Sequence, residues 1–90
     1  MPTFKVFLSN NAEKGLRNAE PKIKARLKEA IDFLEINPVP VQEFDVTKIS
    51  GSESNYRIRI SSYRILYTVK WNEKEVEVFD IDKRRGRSYS

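Results

Sequence analysis

The chain has 90 residues, 39% hydrophobic and 33% charged, a composition typical of one small globular domain spanning residues 1–90. It contains neither cysteine nor histidine, which excludes disulfides, the usual zinc ligands and histidine-based acid/base or nucleophilic chemistry. Any catalyst must therefore use arginine, lysine, tyrosine or carboxylate side chains. We find no Gly-rich phosphate loop and no carboxylate cluster for magnesium, so we expect no metal and no cofactor.

The formal net charge of +4 lies entirely in the C-terminal part of the chain. Residues 1–54 hold eight basic and eight acidic side chains, whereas residues 55–90 hold nine basic and five acidic ones. This segregation predicts a polyanionic partner such as RNA, DNA or an acidic peptide. The sequence has no apolar run long enough for a membrane span and no signal peptide, so we expect no membrane association and a cytoplasmic location.

The first half of the chain predicts one strand followed by two helices. Residues 3–8 alternate apolar and polar side chains, as a strand does. Ser9 or Asn10 then caps a short helix, with Glu13 as the capping-box partner of Asn10, and Gly15 weakens that helix. The next helix begins near Pro21 and ends at residues 37–38, Asn-Pro. Its apolar residues recur at helical spacing: Ile23, Leu27, Ala30, Ile31 and Leu34.

The second half predicts strands joined by tight turns. A strand is expected over residues 44–49, a β-hairpin over 56–71, and a last strand over 75–81, followed by a basic tail, residues 83–90. Tight turns imply antiparallel neighbours. The fold class is therefore α+β: an N-terminal strand, a helical hairpin, then a three- to four-stranded antiparallel sheet with the helices on one face.

The predicted hairpin carries three arginines on the face opposite its apolar side chains. A turn at residues 61–62 would place Ile60 opposite Tyr63 and Arg59 opposite Arg64, with Arg57 on the same face. A face that concentrates guanidinium groups without an acid predicts an anion, and the planar guanidinium fork favours phosphate. The alternative, that the arginines extend into solvent over their own stems, has about equal weight.

Three segments give the chain a resemblance to a known family: PVPVQEFDVTKISG (38–51), YRIRISSYRILY (56–67) and RGRSY (85–89). They resemble the RelE toxins of the RelE/ParE toxin-antitoxin superfamily, and within it the archaeal RelE-like members. The resemblance implies a RelE-like fold and a metal-independent endoribonuclease, or mRNA interferase. Such toxins cut messenger RNA in the ribosomal A site by attack of the ribose 2′-oxygen on the adjacent phosphate. It also implies a RelB-like antitoxin, the ribosome and mRNA as partners.

The resemblance also implies which residues form the site. The implied catalytic residues are Arg59, Arg64, Arg85 and Tyr89, and the implied RNA-binding residues are Lys48, Arg57, Arg84 and Arg87. Arg84 competes with Arg85 for the role of the C-terminal catalytic arginine.

The chain departs from the family pattern in two respects. The best-studied bacterial members have lysines where this chain has Arg57 and Arg59, and arginine does not release a proton, so a conventional general base is missing. In the connecting loop, Val41 stands where an archaeal relative has a basic residue.

Two other functions remain open at the level of sequence. One is a ParE-like toxin that inhibits a topoisomerase, and the other is a nucleic-acid-binding module without catalytic activity. The pairing of Arg85 with Tyr89 favours the RNA-cutting branch, because the ParE-like branch generally lacks that pair.

Overall fold

The computed structural model of the chain describes residues 3–51 and 53–83. The described part forms one five-stranded sheet in the order β1-β5-β4-β3-β2, with two helices packed on one face. The elements in chain order are β1 (Lys5–Leu8), α1 (Asn10–Arg17), α2 (Pro21–Phe33), β2 (Asp45–Lys48), β3 (Asn55–Ile60), β4 (Tyr63–Lys70) and β5 (Glu75–Lys83).

The sheet is mixed because β1 runs parallel to β5, with Lys5 opposite Glu75, while the other neighbours are antiparallel. The predicted α+β architecture is confirmed, but the strand count exceeds the predicted range of three to four. The additional strand is the N-terminal one, which joins the same sheet. Tight turns identify the neighbours of consecutive strands. Tight turns do not indicate which edge of the sheet a strand distant in sequence, such as β1, will join.

The helix boundaries differ slightly from the predicted ones. The Ser9 hydroxyl accepts a hydrogen bond from the Ala12 N–H at 3.1 Å, so Ser9 is the N-cap of α1. The capping-box position three residues later is Ala12, and the predicted pairing of Asn10 with Glu13 is wrong. Helix α2 ends at Phe33, short of residues 37–38, because the chain tightens there into a turn whose Ile36 N–H donates to the Phe33 carbonyl at 2.9 Å.

Gly15 allows α1 to lie directly on β5. A Cβ atom at this position would overlap the main-chain carbonyl of Ile81. From helix propensity alone, Gly15 is expected to destabilise the helix. In the structure it is the residue that permits this close approach of helix and strand, which brings the end of β5 under α1.

The core lies between the helices and the sheet, and a buried tyrosine ties β4 to the loop after α2. The Tyr67 hydroxyl donates to the Pro38 carbonyl at 2.8 Å, and its ring stacks on that of Tyr56 with centroids 5.7 Å apart. Burial, and after it the neighbouring Tyr56, raises the pKa of Tyr67 well above its ordinary value. Tyr67 is therefore a neutral structural donor at physiological pH.

Strand β5 continues through Lys83, two residues beyond its predicted end. Lys83 lies opposite Tyr63, and its Nζ is 3.2 Å from Glu20 Oε2 at the start of α2. Lys83 thus belongs to the sheet, although the sequence analysis assigned it to the tail. None of the helices over the described ranges is long and apolar enough to cross a membrane.

Candidate nucleic-acid interface

The β3–β4 hairpin has the predicted register. Ile60 lies opposite Tyr63 and Arg59 lies opposite Arg64, with the turn at residues 61–62 between them. Ser61 adopts a φ of 56°, in the left-handed region that tight hairpin turns require. Directly opposed residues share a face of the sheet, so the register places three arginines together.

The arginines lie on the face that the helices leave open. Along β4, buried residues alternate with half-buried ones, and Ile65 and Tyr67 are fully buried on the helix side while Arg64 lies on the other. Along β3, Ile58 is buried and Arg59 is exposed. The predicted alternation is confirmed, and we name the surface that contains Arg57, Arg59 and Arg64 the arginine face.

Two carboxylates flank the central arginine pair. Asp45 of β2 lies opposite Arg59, with its Oδ2 3.8 Å from the arginine Nε. Asp82 of β5 lies opposite Arg64, with its Oδ2 4.0 Å from the arginine Nη2. The sheet therefore holds a row of four side chains across four strands, in the order carboxylate, arginine, arginine, carboxylate.

This row corrects the expectation that the arginine face carries no acid. Asp45 and Asp82 belong to strands on either side of the hairpin, and their lateral positions cannot be read from the hairpin sequence itself. Both pairs are at the long limit of an ion pair and their side chains are 39–64% exposed. Such pairs contribute about 0–1 kcal/mol each. At 3.8 and 4.0 Å neither contact is a hydrogen bond, so the two carboxylates leave the guanidinium N–H groups available to an added anion.

Two of the arginines are partly covered by protein. The Nε atoms of Arg57 and Arg64 are covered by protein and have no hydrogen-bond partner among the described residues. Arg57 stands between Thr47 of β2 and Leu66 of β4. Buried donors are normally paired, so an added oxygen acceptor would find two N–H groups to bind once the side chains turn.

The half of the open face nearer β1 is acidic. Strand β5 contributes Asp80 opposite Leu66 and Glu77 opposite Thr68. Glu77 Oε2 accepts a hydrogen bond from Lys70 Nζ at 3.0 Å, and this bond, followed by the charge of Glu77, raises the pKa of Lys70. Lys70, a cation of this half, is thus already paired. A phosphate backbone is favoured over β2, β3 and β4 and disfavoured over β5.

The structure does not bring all the predicted site residues together. Lys48 lies opposite Tyr56, and therefore on the helix side of the edge strand β2, away from the arginine face. Arg84, Arg85, Arg87 and Tyr89 lie outside the described residues. Their roles, like that of Lys48 in RNA binding, stay predictions.

Sequence reasoning missed Asp45 and Asp82 as members of the site. Period-two alternation within β2 and β5 predicts on which face of the sheet each aspartate lies. It does not predict the strand order, which places the two aspartates beside the arginines. In the ranges 3–51 and 53–83 no three acidic side chains gather closely enough to hold a metal ion.

Comparison with known proteins identifies relatives along almost the whole chain. Residues 6–87 match the family model described as "ParE toxin of type II toxin-antitoxin system, parDE". A Methanocaldococcus jannaschii protein provisionally named toxin RelE1 is 32% identical over 83 residues, which is 92% of each chain.

Solved structures give the same picture of the fold. The crystal structure of the archaeal RelE–RelB complex from Pyrococcus horikoshii OT3 contains a chain that is 34% identical to this one, with a TM-score of 0.82 over 94% of this chain and 98% of that chain. The intact RelBE complex of E. coli matches with a TM-score of 0.74 at 21% identity, over 91% of this chain and 98% of that chain. The second match shows likeness of fold alone.

Proposed function

The chain belongs to the RelE/ParE superfamily of type II toxin-antitoxin toxins, as a RelE-like member, and on that premise we propose that it is a ribosome-dependent mRNA endonuclease. It cuts messenger RNA in the ribosomal A site and so inhibits translation. Its site of action is the cytoplasm, where ribosomes translate.

The observation that carries this proposal is the arginine pair on the helix-free face. Arg59 and Arg64 lie directly opposite each other with side chains about two-fifths exposed. Within residues 3–51 and 53–83, their ion pairs are the long ones with the neighbouring carboxylates. Cleavage by a ribose 2′-oxygen passes through a phosphorane that carries extra negative charge. Preorganised cations that stabilise this charge can supply most of the catalysis.

In this proposal the ribosome positions the messenger RNA, which the small arginine face cannot do alone. Fixing the messenger backbone in one geometry converts the attack into an effectively unimolecular step. We therefore propose that Arg57, Arg59 and Arg64 hold the backbone at the phosphate. Arg85 approaches the same phosphate from the C-terminal tail, and Tyr89 stacks on a base, a contact worth about 1–3 kcal/mol.

A purified translation system tests this function. We expect the protein to arrest translation of a defined message, and mapping of the 5′ ends should locate cleavage within translated codons. The same message without ribosomes should remain largely intact. Unimpaired translation at stoichiometric amounts of protein would contradict the proposal.

The tail requires its own variants in this assay. A chain truncated after Gly86 and an Arg85→Ala chain should both lose cleavage at every salt concentration while still binding ribosomes. A tail that only adds positive charge would give a modest loss that lowering the salt reverses.

A second candidate is favoured by the family model, whose description names ParE. A toxin of the ParE branch would inhibit a topoisomerase. Supercoiling assays separate the two candidates, since an RNA-cutting toxin should leave topoisomerase activity unchanged. A nucleic-acid-binding module without activity would give neither cleavage nor topoisomerase inhibition.

We further propose a RelB-like antitoxin as the partner, because the structural relatives include RelE–RelB complexes. Its acidic, amphipathic segment would cover the arginine face and keep it from RNA. Co-expression with the product of the adjacent gene should restore growth that the toxin alone arrests. The affinity should fall with salt, although less than for a purely electrostatic contact, since apolar burial persists. If expression of the toxin without a partner is harmless, this pairing is wrong.

A further inference from the structure

The carboxylate of Asp82 is held in one orientation at the edge of the arginine face. The Lys83 main-chain N–H donates to Asp82 Oδ1 at 2.8 Å. The other oxygen, Oδ2, faces Arg64 Nη2 at 4.0 Å. One oxygen is thus anchored, while the second points toward the arginine pair and keeps lone pairs available. The side chain is 57% exposed, so a bound substrate can reach it.

The proposed reaction needs a group of this kind. A ribose hydroxyl becomes an effective nucleophile only when a base removes its proton, and general-base assistance contributes about 10²–10⁴-fold in rate. The guanidinium groups of the arginine face are always protonated and have no acceptor. A proton acceptor for this site must therefore come from another side chain.

Few described side chains on the arginine face can accept that proton. Thr47 and Thr68 are neutral hydroxyls and weak bases, and Glu77, opposite Thr68, is paired with Lys70 at 3.0 Å. The carboxylates left are Asp45, Asp80 and Asp82. Among the described residues, Asp45 has only its long contact with Arg59 and no hydrogen bond that fixes its oxygens. Asp80 lies opposite Leu66 and has no ion pair within 4.0 Å in the same part of the chain. Asp82 combines a fixed orientation with direct proximity to an arginine.

We propose that Asp82 is the general base of the RNA cleavage, an inference that rests on the proposed function. With the scissile phosphate on Arg64, the attacking 2′-oxygen lies about 3–3.5 Å from phosphorus, within reach of Asp82 Oδ2. The 2′-hydroxyl proton passes to Oδ2 as the bond between the 2′-oxygen and phosphorus forms. The bond from phosphorus to the 5′-oxygen breaks, and the 5′-oxygen leaves with the electron pair and takes a proton from water. The resulting hydroxide receives the proton from Asp82, and the products are a 2′,3′-cyclic phosphate and a 5′-hydroxyl.

Arg64 has a second role in this arrangement. Before RNA binds, it neutralises the carboxylate that later acts as base. When RNA binds, the same guanidinium engages the phosphate, so Arg64 holds the phosphate and the Asp82 carboxylate next to each other.

The test measures single-turnover cleavage on the ribosome at saturating toxin, for the wild type, Asp82→Asn and Asp82→Gly. We expect both variants to lose about 10²-fold or more in rate while they bind ribosomes as well as the wild type. Formate, supplied in place of chloride at constant ionic strength, should restore cleavage by Asp82→Gly, because it returns a carboxylate to the vacated space. Asp80→Asn is the matched control. It removes one charge from the same face of the same strand, and its rate should stay within a few-fold of the wild type.

Each other outcome overturns the inference. If Asp82→Asn cuts as fast as the wild type or faster, Asp82 only screens Arg64. If formate fails to rescue Asp82→Gly, or if Asp80→Asn loses as much activity as Asp82→Asn, the carboxylate is not the proton acceptor. A wild-type protein that cuts no message on ribosomes overturns the proposed function itself, which distinguishes that failure from failure of the base alone.

Discussion

The two faces of the β3–β4 hairpin are built from alternate residues of the same two strands, yet they serve different purposes. On the helix side, Ile58, Ile65 and Tyr67 are completely buried. On the other side, Arg59 is exposed and Arg64 half-buried, and among the described residues their ion-pair partners are the carboxylates at 3.8 and 4.0 Å. Stability and candidate activity therefore lie on opposite sides of one hairpin, one residue apart in sequence.

Adjacent positions of the hairpin lie on opposite faces. A substitution at one position should therefore cause a different kind of defect from a substitution at the next. Substitutions on the helix side should lower the free energy of unfolding. Substitutions of the hairpin arginines should lower activity and leave folding almost unchanged.

The largest expected effect is on stability, at Ile65. Ile65→Ala should lower the free energy of unfolding by about 2–5 kcal/mol, because it leaves a cavity in a fully buried position. Urea denaturation measures the loss. Leu66→Ala, the next residue on the arginine face, is the control and should have a smaller effect, since Leu66 is only half-buried. Equal losses of unfolding free energy at Ile65 and Leu66 would contradict the proposed difference between the two faces.

The next effect is on activity, at Arg64. Arg64→Ala should reduce ribosome-dependent cleavage by roughly 10²-fold or more, because it removes a preorganised charge at the developing phosphorane. The free energy of unfolding should fall by no more than about 1 kcal/mol, because Arg64 is half-buried and its ion pair with Asp82 is long. An unfolded variant, or one that still arrests translation at full strength, would contradict the assignment.

A smaller effect is expected from a single hydroxyl on the helix side. Tyr67→Phe leaves the Pro38 carbonyl without its donor and should lower the free energy of unfolding by about 1–3 kcal/mol. Tyr63→Phe is the matched control. Its hydroxyl only accepts a longer bond of 3.3 Å from the Glu20 N–H, so its loss should be smaller. Both variants should keep the cleavage activity of the wild type. That result would support the assignment of stability to the helix side and of activity to the arginine face.

The smallest expected effect is on the pH dependence of stability, at the exposed ion pair between Lys70 and Glu77. Glu77 raises the pKa of Lys70 above its ordinary value of 10.5, so the pair stabilises the folded protein below that pH. This contribution is lost as the pH rises through the raised pKa. Glu77→Gln should therefore reduce the fall in urea midpoint as the pH rises above 10.5, and high salt should weaken the same contribution in the wild type. A pH dependence unchanged by the substitution would show that the pair contributes nothing to stability.

Local patterns were sufficient to predict the hairpin. Alternation fixes which residues of β3 and β4 are buried, and the two-residue turn fixes the register, so the pairing of Arg59 with Arg64 was predictable. The order of strand, helical pair and further strands was predictable for the same reason, since each element has its own periodicity.

The residues around the arginines were harder to predict because they depend on which strands become neighbours. Asp45 and Asp82 meet the arginines only through the strand order β5-β4-β3-β2. The role of Gly15 depends on the distance between a helix and a strand, a tertiary quantity that no local pattern contains. The extension of β5 to Lys83 follows from pairing with Tyr63, although the local sequence is basic and polar.

The parallel pairing of β1 with β5 has a consequence for synthesis of the chain. The Ser9 hydroxyl, just after β1, bonds to the Phe79 carbonyl, 70 residues later in sequence. The first strand can find its place only after β5 has left the ribosome, and contacts between distant segments form slowly. We therefore expect the native sheet, with Asp82 beside Arg64, to form only after that point. This delay gives a co-expressed antitoxin an interval in which to meet the toxin before it is complete.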